Sequence, residues 1–204
     1  LAVVGSRQPT ATGREIAFDF SADLATQGLV ITSGLARGID AAAHQGALSV
    51  AGGKTVAVCG HGLSHQYPWQ HEELFRKIAE QGALVSEYLP PVEPQARLFP
   101  IRNRIIVGLS LGTLVVEAAE KSGSLISANY AAEYNREVFA VPGSIRSPQS
   151  AGCHQLIQQG AKLTRSTADI LEELAIDLPK SGCAANIEKN NCQQDLFVTG
   201  LLSN

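Results

Sequence analysis

The sequence predicts an α/β protein built on an open, mainly parallel sheet of about seven or more strands with helices on both faces. Three observations carry this. Short β-branched runs alternate with longer stretches of helical period. The runs are nearly continuous in apolar character, as strands covered on both faces should be. The links between them are short and rich in Gly, Ser and Pro.

In chain order, the strand runs are Ala2–Val4, Leu29–Thr32, Thr55–Val58, Ala83–Ser86, Thr113–Val116, Val138–Val141 and Ala161–Thr164. Helices fit between them. Ile16, Ala17, Phe20 and Leu24 make one apolar stripe, with Thr12 and Glu15 at capping-box spacing before it. Ile39–Leu48 is Ala-rich and helical, Leu74, Phe75, Ile78 and Ala79 make a second stripe, and Leu125–Tyr134 and Thr167–Leu174 read as further helices. Pro90, Pro91 and Pro94 make Leu89–Phe99 a rigid extended crossing. After Asp177 periodicity is lost. The division is therefore a folded domain over 1–176 and a polar linker or tail over 177–204.

At 204 residues, with 45% apolar and 17% charged, the chain is large enough for one core without disulfides or structural metal. No apolar run is long enough to span a membrane, and no signal-peptide pattern opens the chain. The sequence has no Met and starts at Leu1 in a strand-like run, so the expectation is a start inside a longer gene product. The net charge of −3 argues against a general polyanion binder. It is unevenly spread, however: from Asp169 onward six acids face two lysines, and the preceding body carries 14 basic residues against 13 acidic ones. Any basic patch must arise by clustering. Cys59 sits in an apolar run and Cys183 and Cys192 in the polar tail, where a disulfide has no support. A reducing, cytoplasmic setting is expected.

In open α/β sheets ligands bind beyond the carboxyl ends of the strands. Five of the strand runs here lead into short polar turns: Gly5-Ser6-Arg7, Ser33-Gly34-Leu35-Ala36-Arg37-Gly38, Gly60-His61-Gly62, Lys121-Ser122-Gly123-Ser124 and Pro142-Gly143-Ser144. Such turns at helix N-termini offer free N–H groups to an anion. Arg7, Arg37 and Lys121 add charge on the same rim, and His61, Arg102 and Arg104 are candidate rim residues. No turn matches the dinucleotide fingerprint or the phosphate loop of nucleoside triphosphatases, so no cofactor is expected. A rim of separate shallow sites fits an extended polyanion better than one mononucleotide.

Other patterns resolve differently. Gly108-Leu109-Ser110-Leu111-Gly112 spells the serine-hydrolase elbow but leads from a helix into a strand, the reverse of the order required. Cys59, His61, His65 and His71 match no zinc spacing. Asp40 and His44, four apart, read as helix support. Tyr67-Pro68-Trp69 is aromatic loop surface on which a base would stack, or which packs onto the domain.

The ordered set of motifs resembles the DNA-processing protein A family, bacterial proteins of natural transformation. It includes Val4-Gly5-Ser6-Arg7, Ser33-Gly34-Leu35-Ala36-Arg37-Gly38-Ile39-Asp40, Tyr67-Pro68 and Phe99-Pro100-Ile101-Arg102-Asn103-Arg104. Val115-Val116-Glu117-Ala118, Ser122-Gly123-Ser124-Leu125 and Val141-Pro142-Gly143 continue it. The resemblance implies an extended Rossmann-like fold, single-stranded DNA binding without enzymatic activity, homodimers, and loading of RecA recombinase on incoming strands. It implies phosphate contacts at Gly5, Ser6 and Arg7, at Gly34, Arg37 and Gly38, and at Lys121, Ser122, Gly123 and Ser124. The rival is a nucleoside-monophosphate phosphoribohydrolase, whose Gly-Thr and catalytic Glu resemble Gly112-Thr113 and Glu117 but whose double glycine is absent. A small-nucleotide sensor is a third reading.

Overall fold

A computed structural model of the chain describes residues 1–175, and the expected tail with Cys183 and Cys192 lies outside that range. Seven strands form one sheet: β1 (Ala2–Val4), β2 (Ile31–Ser33), β3 (Thr55–Cys59), β4 (Ala83–Ser86), β5 (Gly112–Val115), β6 (Glu137–Ala140) and β7 (Lys162–Leu163). Their order is β4-β3-β2-β1-β5-β6-β7, and every adjacent pair is parallel. The chain winds outward from β1 to β4, then crosses back over the sheet to place β5 against β1, in register from Ala2 with Thr113 to Val4 with Val115. That reversal makes the β1/β5 boundary the switch point, where adjacent loops diverge and leave a crevice.

The helices are α1 (Ala11–Thr26), α2 (Ile39–Leu48), α3 (Glu72–Gln81), α4 (Leu98–Gly108), α5 (Ser124–Glu133), α6 (Ala151–Gln158) and α7 (Thr167–Glu173). Alternating strand residues sort them into two layers. Val3, Ile31, Leu114 and Phe139 pack against α1, α2 and α7 through Leu24, Ile39 and Ile170. Ala2, Val4, Val115 and Ala140 pack on α4, α5 and α6 through Ile106, Ala128 and Leu156. Helix α3 joins the first layer beside α2, closing Ala57 and Cys59 under Leu74 and Ile78. Period-two side chains with both faces apolar account for the near-continuous strand runs.

Local caps differ from the sequence expectation in one place that matters. Thr10, not Thr12, caps α1: its hydroxyl accepts from the Gly13 amide at 2.9 Å. Its own amide and hydroxyl donate to the Glu117 carboxylate at 2.9 and 2.6 Å. The capping partner lies 107 residues away, so local spacing could not reveal it. Helix α4 starts at Leu98, with Pro100 in its first turn where no amide is required, and α6 is a helix that periodicity did not single out.

The expected Asp40–His44 pairing is not made. Asp40 accepts from the Gly34 amide at 3.1 Å, and His44 Nδ1 meets Thr55 Oγ1 at 2.7 Å. Both side chains are committed to loop and core before they can reach each other. Burial, aided by the charges of Arg102 and His71, lowers the His44 pKa to about 3. Because this folded pKa lies below the unfolded value, acidification favours the unfolded chain, which binds the proton first. His44 should therefore reduce stability progressively as pH falls from about 6.5 to about 3. In thermal denaturation across that window, a His44→Gln variant should lose less stability on acidification than the parent. Equal losses would contradict the assignment.

Candidate phosphate-binding cleft

At the switch point lies a cleft of about 730 Å³, walled by the loops after β1 and β5 and by the start of α4. The structure brings Gly5, Ser6, Arg7, Lys121, Ser122, Gly123 and Ser124 together around it. Gly34, Arg37 and His61 line a smaller adjoining hollow that shares Arg7, Tyr67, Phe99 and Arg102 with the cleft. Gly38 lines neither; it opens α2 at φ 84°, and a Cβ there would collide with the Ser6 carbonyl, so the first loop packs closely on this glycine.

The donors that remain for an anion are fewer than the glycine count implies. The Ser6 amide is taken by the Glu117 carbonyl at 2.7 Å, and the Gly34 amide by Asp40. Glu117 also occupies the N-terminus of α1, so that dipole is neutralised internally. At the N-terminus of α5 the first-turn amides are already used: Ser124 N–H donates to Ser122 Oγ at 3.3 Å, and the Leu125 and Ile126 amides donate to the Ser122 and Gly123 carbonyls at 3.1 and 3.3 Å. Gly123 caps this helix with no side-chain hydrogen bond. The amides of Arg7, Lys121 and Gly123 have no acceptor among the described residues. Ser122 and Ser124 hydroxyls meet at 2.7 Å, tightening the turn, and the buried Ser127 hydroxyl, also on the cleft wall, is unpartnered. An anion at this end meets the free Lys121 and Gly123 amides, the serine hydroxyls and the Lys121 side chain.

Three expected rim residues are placed differently. Arg102 is the floor of the cleft rather than its rim, only 3% exposed. Its guanidinium donates to the Gly34 carbonyl at 2.7 Å and to the Val58 carbonyl. Burial pushes its pKa down and that of Asp40 up, and each charge partly offsets the other's shift. His61 is likewise buried, 1% exposed, with Nδ1 near the Gly62 carbonyl and its ring edge-on to Tyr67. Arg104 points away from the cleft and pairs with Glu87. In each case α4 or the loop beneath it draws the side chain inward or aside, which tertiary packing decides and local spacing does not.

The opposite wall is apolar. Phe99 stacks on Tyr67 with centroids 5.5 Å apart, and Arg7 lies over Phe99 at 5.7 Å. Pro94, Pro100 and Ile126 complete it. Sequence reasoning named Tyr67 but did not assign Phe99 a site role; the available signal was its place at the end of the proline-rich crossing. Trp69 does not pack, being 75% exposed. Gln149 reaches the first loop, donating to the Gln8 carbonyl at 3.3 Å. The hydrolase-like pentapeptide runs from α4 into β5, with Ser110 Oγ spent on the Ile106 carbonyl at 2.8 Å.

Fold and cleft together define a Rossmann-like domain whose candidate site pairs cationic and aromatic side chains. The family model for DNA recombination-mediator protein A matches residues 1–175, and the chain belongs to that family. It is 53% identical over 179 residues to Protein Smf of Escherichia coli (strain K12), covering 87% of this chain and 48% of that protein. A solved structure of DNA processing protein A from Streptococcus pneumoniae superposes with a TM-score of 0.78 at 48% identity, covering 84% of this chain and 60% of that one. Another, of DNA processing protein A from Helicobacter pylori, described for its single-stranded DNA binding mode, gives 0.79 at 30% identity, covering 87% and 80%. The chain spans about half the length of the curated relatives it matches first, 48% and 58%.

Proposed function

We propose that this domain binds single-stranded DNA along the carboxyl edge of its sheet and acts without turnover in DNA recombination and natural transformation. The observation that carries the reading is the cleft's division into two unlike walls. Arg7, Lys121 and the free Gly123 amide ahead of α5 meet phosphates, while Phe99, Tyr67, Pro94 and Pro100 offer an apolar surface to bases. A single strand presents both chemistries side by side; a duplex hides its bases. Family membership and the Helicobacter pylori relative support it.

The expectations carried by the family resemblance extend the proposal. Two copies would place two clefts on one particle, raising effective affinity by linkage. The bound strand would be handed to the RecA recombinase in the cytoplasm. Among the described residues no helix is long and apolar enough to cross a membrane.

Arg37 is exposed at the edge of the smaller hollow. Arg37→Ala should weaken single-strand binding about tenfold, with the fold intact, as for one lost charge-assisted contact. Fluorescence titration with a labelled oligonucleotide at low salt checks this; unchanged affinity removes Arg37 from the track. The hydrolase rival places a catalytic role on Glu117, whose carboxylate instead holds Thr10. Incubation with nucleoside monophosphates should release no free base by chromatography.

A further inference from the structure

Residues 142–150 follow β6 and reach the cleft through Gln149. The base of this segment is tied down on three sides. The Gln149 carbonyl accepts from the Ala118 amide at 2.8 Å, and the Gly152 amide returns to the Ala118 carbonyl at 2.7 Å. Gln149 Nε2 reaches Gln8 at 3.3 Å, and His154 Nε2 lies 3.0 Å from the Gly143 carbonyl. Gly143 packs so closely on the Ser150 side chain that a Cβ there would collide. The tip is a turn, closed by the Ser147 amide on the Ser144 carbonyl at 2.9 Å and by the Arg146 amide on Ser144 Oγ at 3.2 Å.

This anchored turn displays Ile145, 91% exposed, beside an exposed Arg146. Arg146 takes part in none of the ion pairs among the described residues. Strand β6 lies directly beside β5 and parallel to it, so the turn leaves the sheet at the same carboxyl edge as the Lys121 loop. Past β7 the chemistry reverses. The Arg165 amide donates to Asp169 Oδ2 at 2.8 Å, and Glu173 holds Lys162 at 2.8 Å. The exposed cations run from Arg37 through Arg7 and Lys121 to Arg146, and the next one along the edge, Arg165, has the Asp169 carboxylate beside it.

We propose that the Ser144–Ser147 turn is an outer contact of the DNA track, Arg146 taking a phosphate outside the cleft and Ile145 packing on the adjoining base. The proposal rests on the single-strand reading given above. Its test compares the parent, Arg146→Ala, Ile145→Ala and Arg165→Ala for oligo-dT of about 4 and about 16 nucleotides, a range typical of single-strand sites, across a salt series. On the long oligonucleotide Arg146→Ala should weaken binding several-fold and reduce the slope of log K against log salt by about 0.7, one single-strand phosphate contact. Ile145→Ala should weaken it without changing the slope, and Arg165→Ala should do neither. On the short oligonucleotide all four proteins should agree. A long-oligonucleotide slope unchanged by Arg146→Ala, with the parent still binding through Arg7 and Lys121, overturns this inference alone and leaves the turn to a protein partner. Absence of any single-strand binding by the parent overturns both this inference and the cleft reading.

Discussion

Arg7→Ala combined with Lys121→Ala should weaken single-stranded DNA binding by about three orders of magnitude while leaving the unfolding transition in place. Each side chain stands on an exposed loop at the cleft mouth, Arg7 held over Phe99 and Lys121 two residues before the free Gly123 amide that precedes α5. Neither belongs to an ion pair among the described residues, and although the charge of Arg7 acts on the buried Asp40 carboxyl, that of Arg102 acts on it more strongly. A hydrogen bond to a charged group contributes about 2 kcal/mol, and two such losses amount to about 4 kcal/mol, close to a thousandfold. The salt slope should fall as well, by about 1.4 for two phosphates on a single strand. Because Arg7 and Lys121 line one cleft, a double-mutant cycle should show coupling where both hold the same phosphate. Fluorescence anisotropy of the single and double variants measures all three quantities. An affinity within threefold of the parent would show that the strand lies elsewhere.

Gly38→Ala should damage fold and binding together. At φ 84° and ψ −123° the residue occupies a region that side-chain-bearing residues rarely adopt, at a cost of order 1–3 kcal/mol. A Cβ there would also run into the Ser6 carbonyl oxygen, the acceptor of the Ile39 amide at 3.1 Å, and lie 2.7 Å from the Pro9 ring. Relief requires the first loop to move off α2, taking Arg7 with it. The expected result is a melting temperature lower by roughly 10 °C, from about 3 kcal/mol in a domain of this size, together with weaker DNA binding. A melting temperature unchanged within error would mean that the loop is not clamped as described.

Much of this architecture was legible from residue order. Continuous apolar runs set between amphipathic stretches define a covered parallel sheet, and glycine-rich turns after those runs mark its carboxyl edge. The same reasoning brought Arg7 to Lys121, since strands that end in such turns share one edge. What escaped it depended on distant pairing. Glu117 reads as a candidate acid in sequence; in the structure it caps a helix that begins more than a hundred residues earlier. Arg102, Asn103 and Arg104 follow one another in one motif, whose two arginines read as rim residues of the same groove. A helix turns successive residues by about 100°, so Arg102 goes to the floor, Arg104 to Glu87 and Asn103 to the cleft wall. Amide bookkeeping was invisible for the same reason. Only the assembled loops reveal that Ser6 and Gly34 have already given their N–H groups to Glu117 and Asp40.

The mildly negative net charge is compatible with a polyanion ligand for a positional reason. Affinity for a polyanion depends on which cations remain unpaired along one edge, and the acids near the end of the described chain cluster on α7, at the far side of the sheet. The central claim is that unlike walls select a single strand. Its most direct measurement is a salt-dependent binding comparison of oligo-dT, duplex DNA of equal length and thymidine monophosphate under identical conditions. The account predicts tight, salt-sensitive binding of oligo-dT, with duplex and mononucleotide each at least tenfold weaker. Equal affinity for the duplex, or saturable mononucleotide binding as tight as that of oligo-dT, would contradict it.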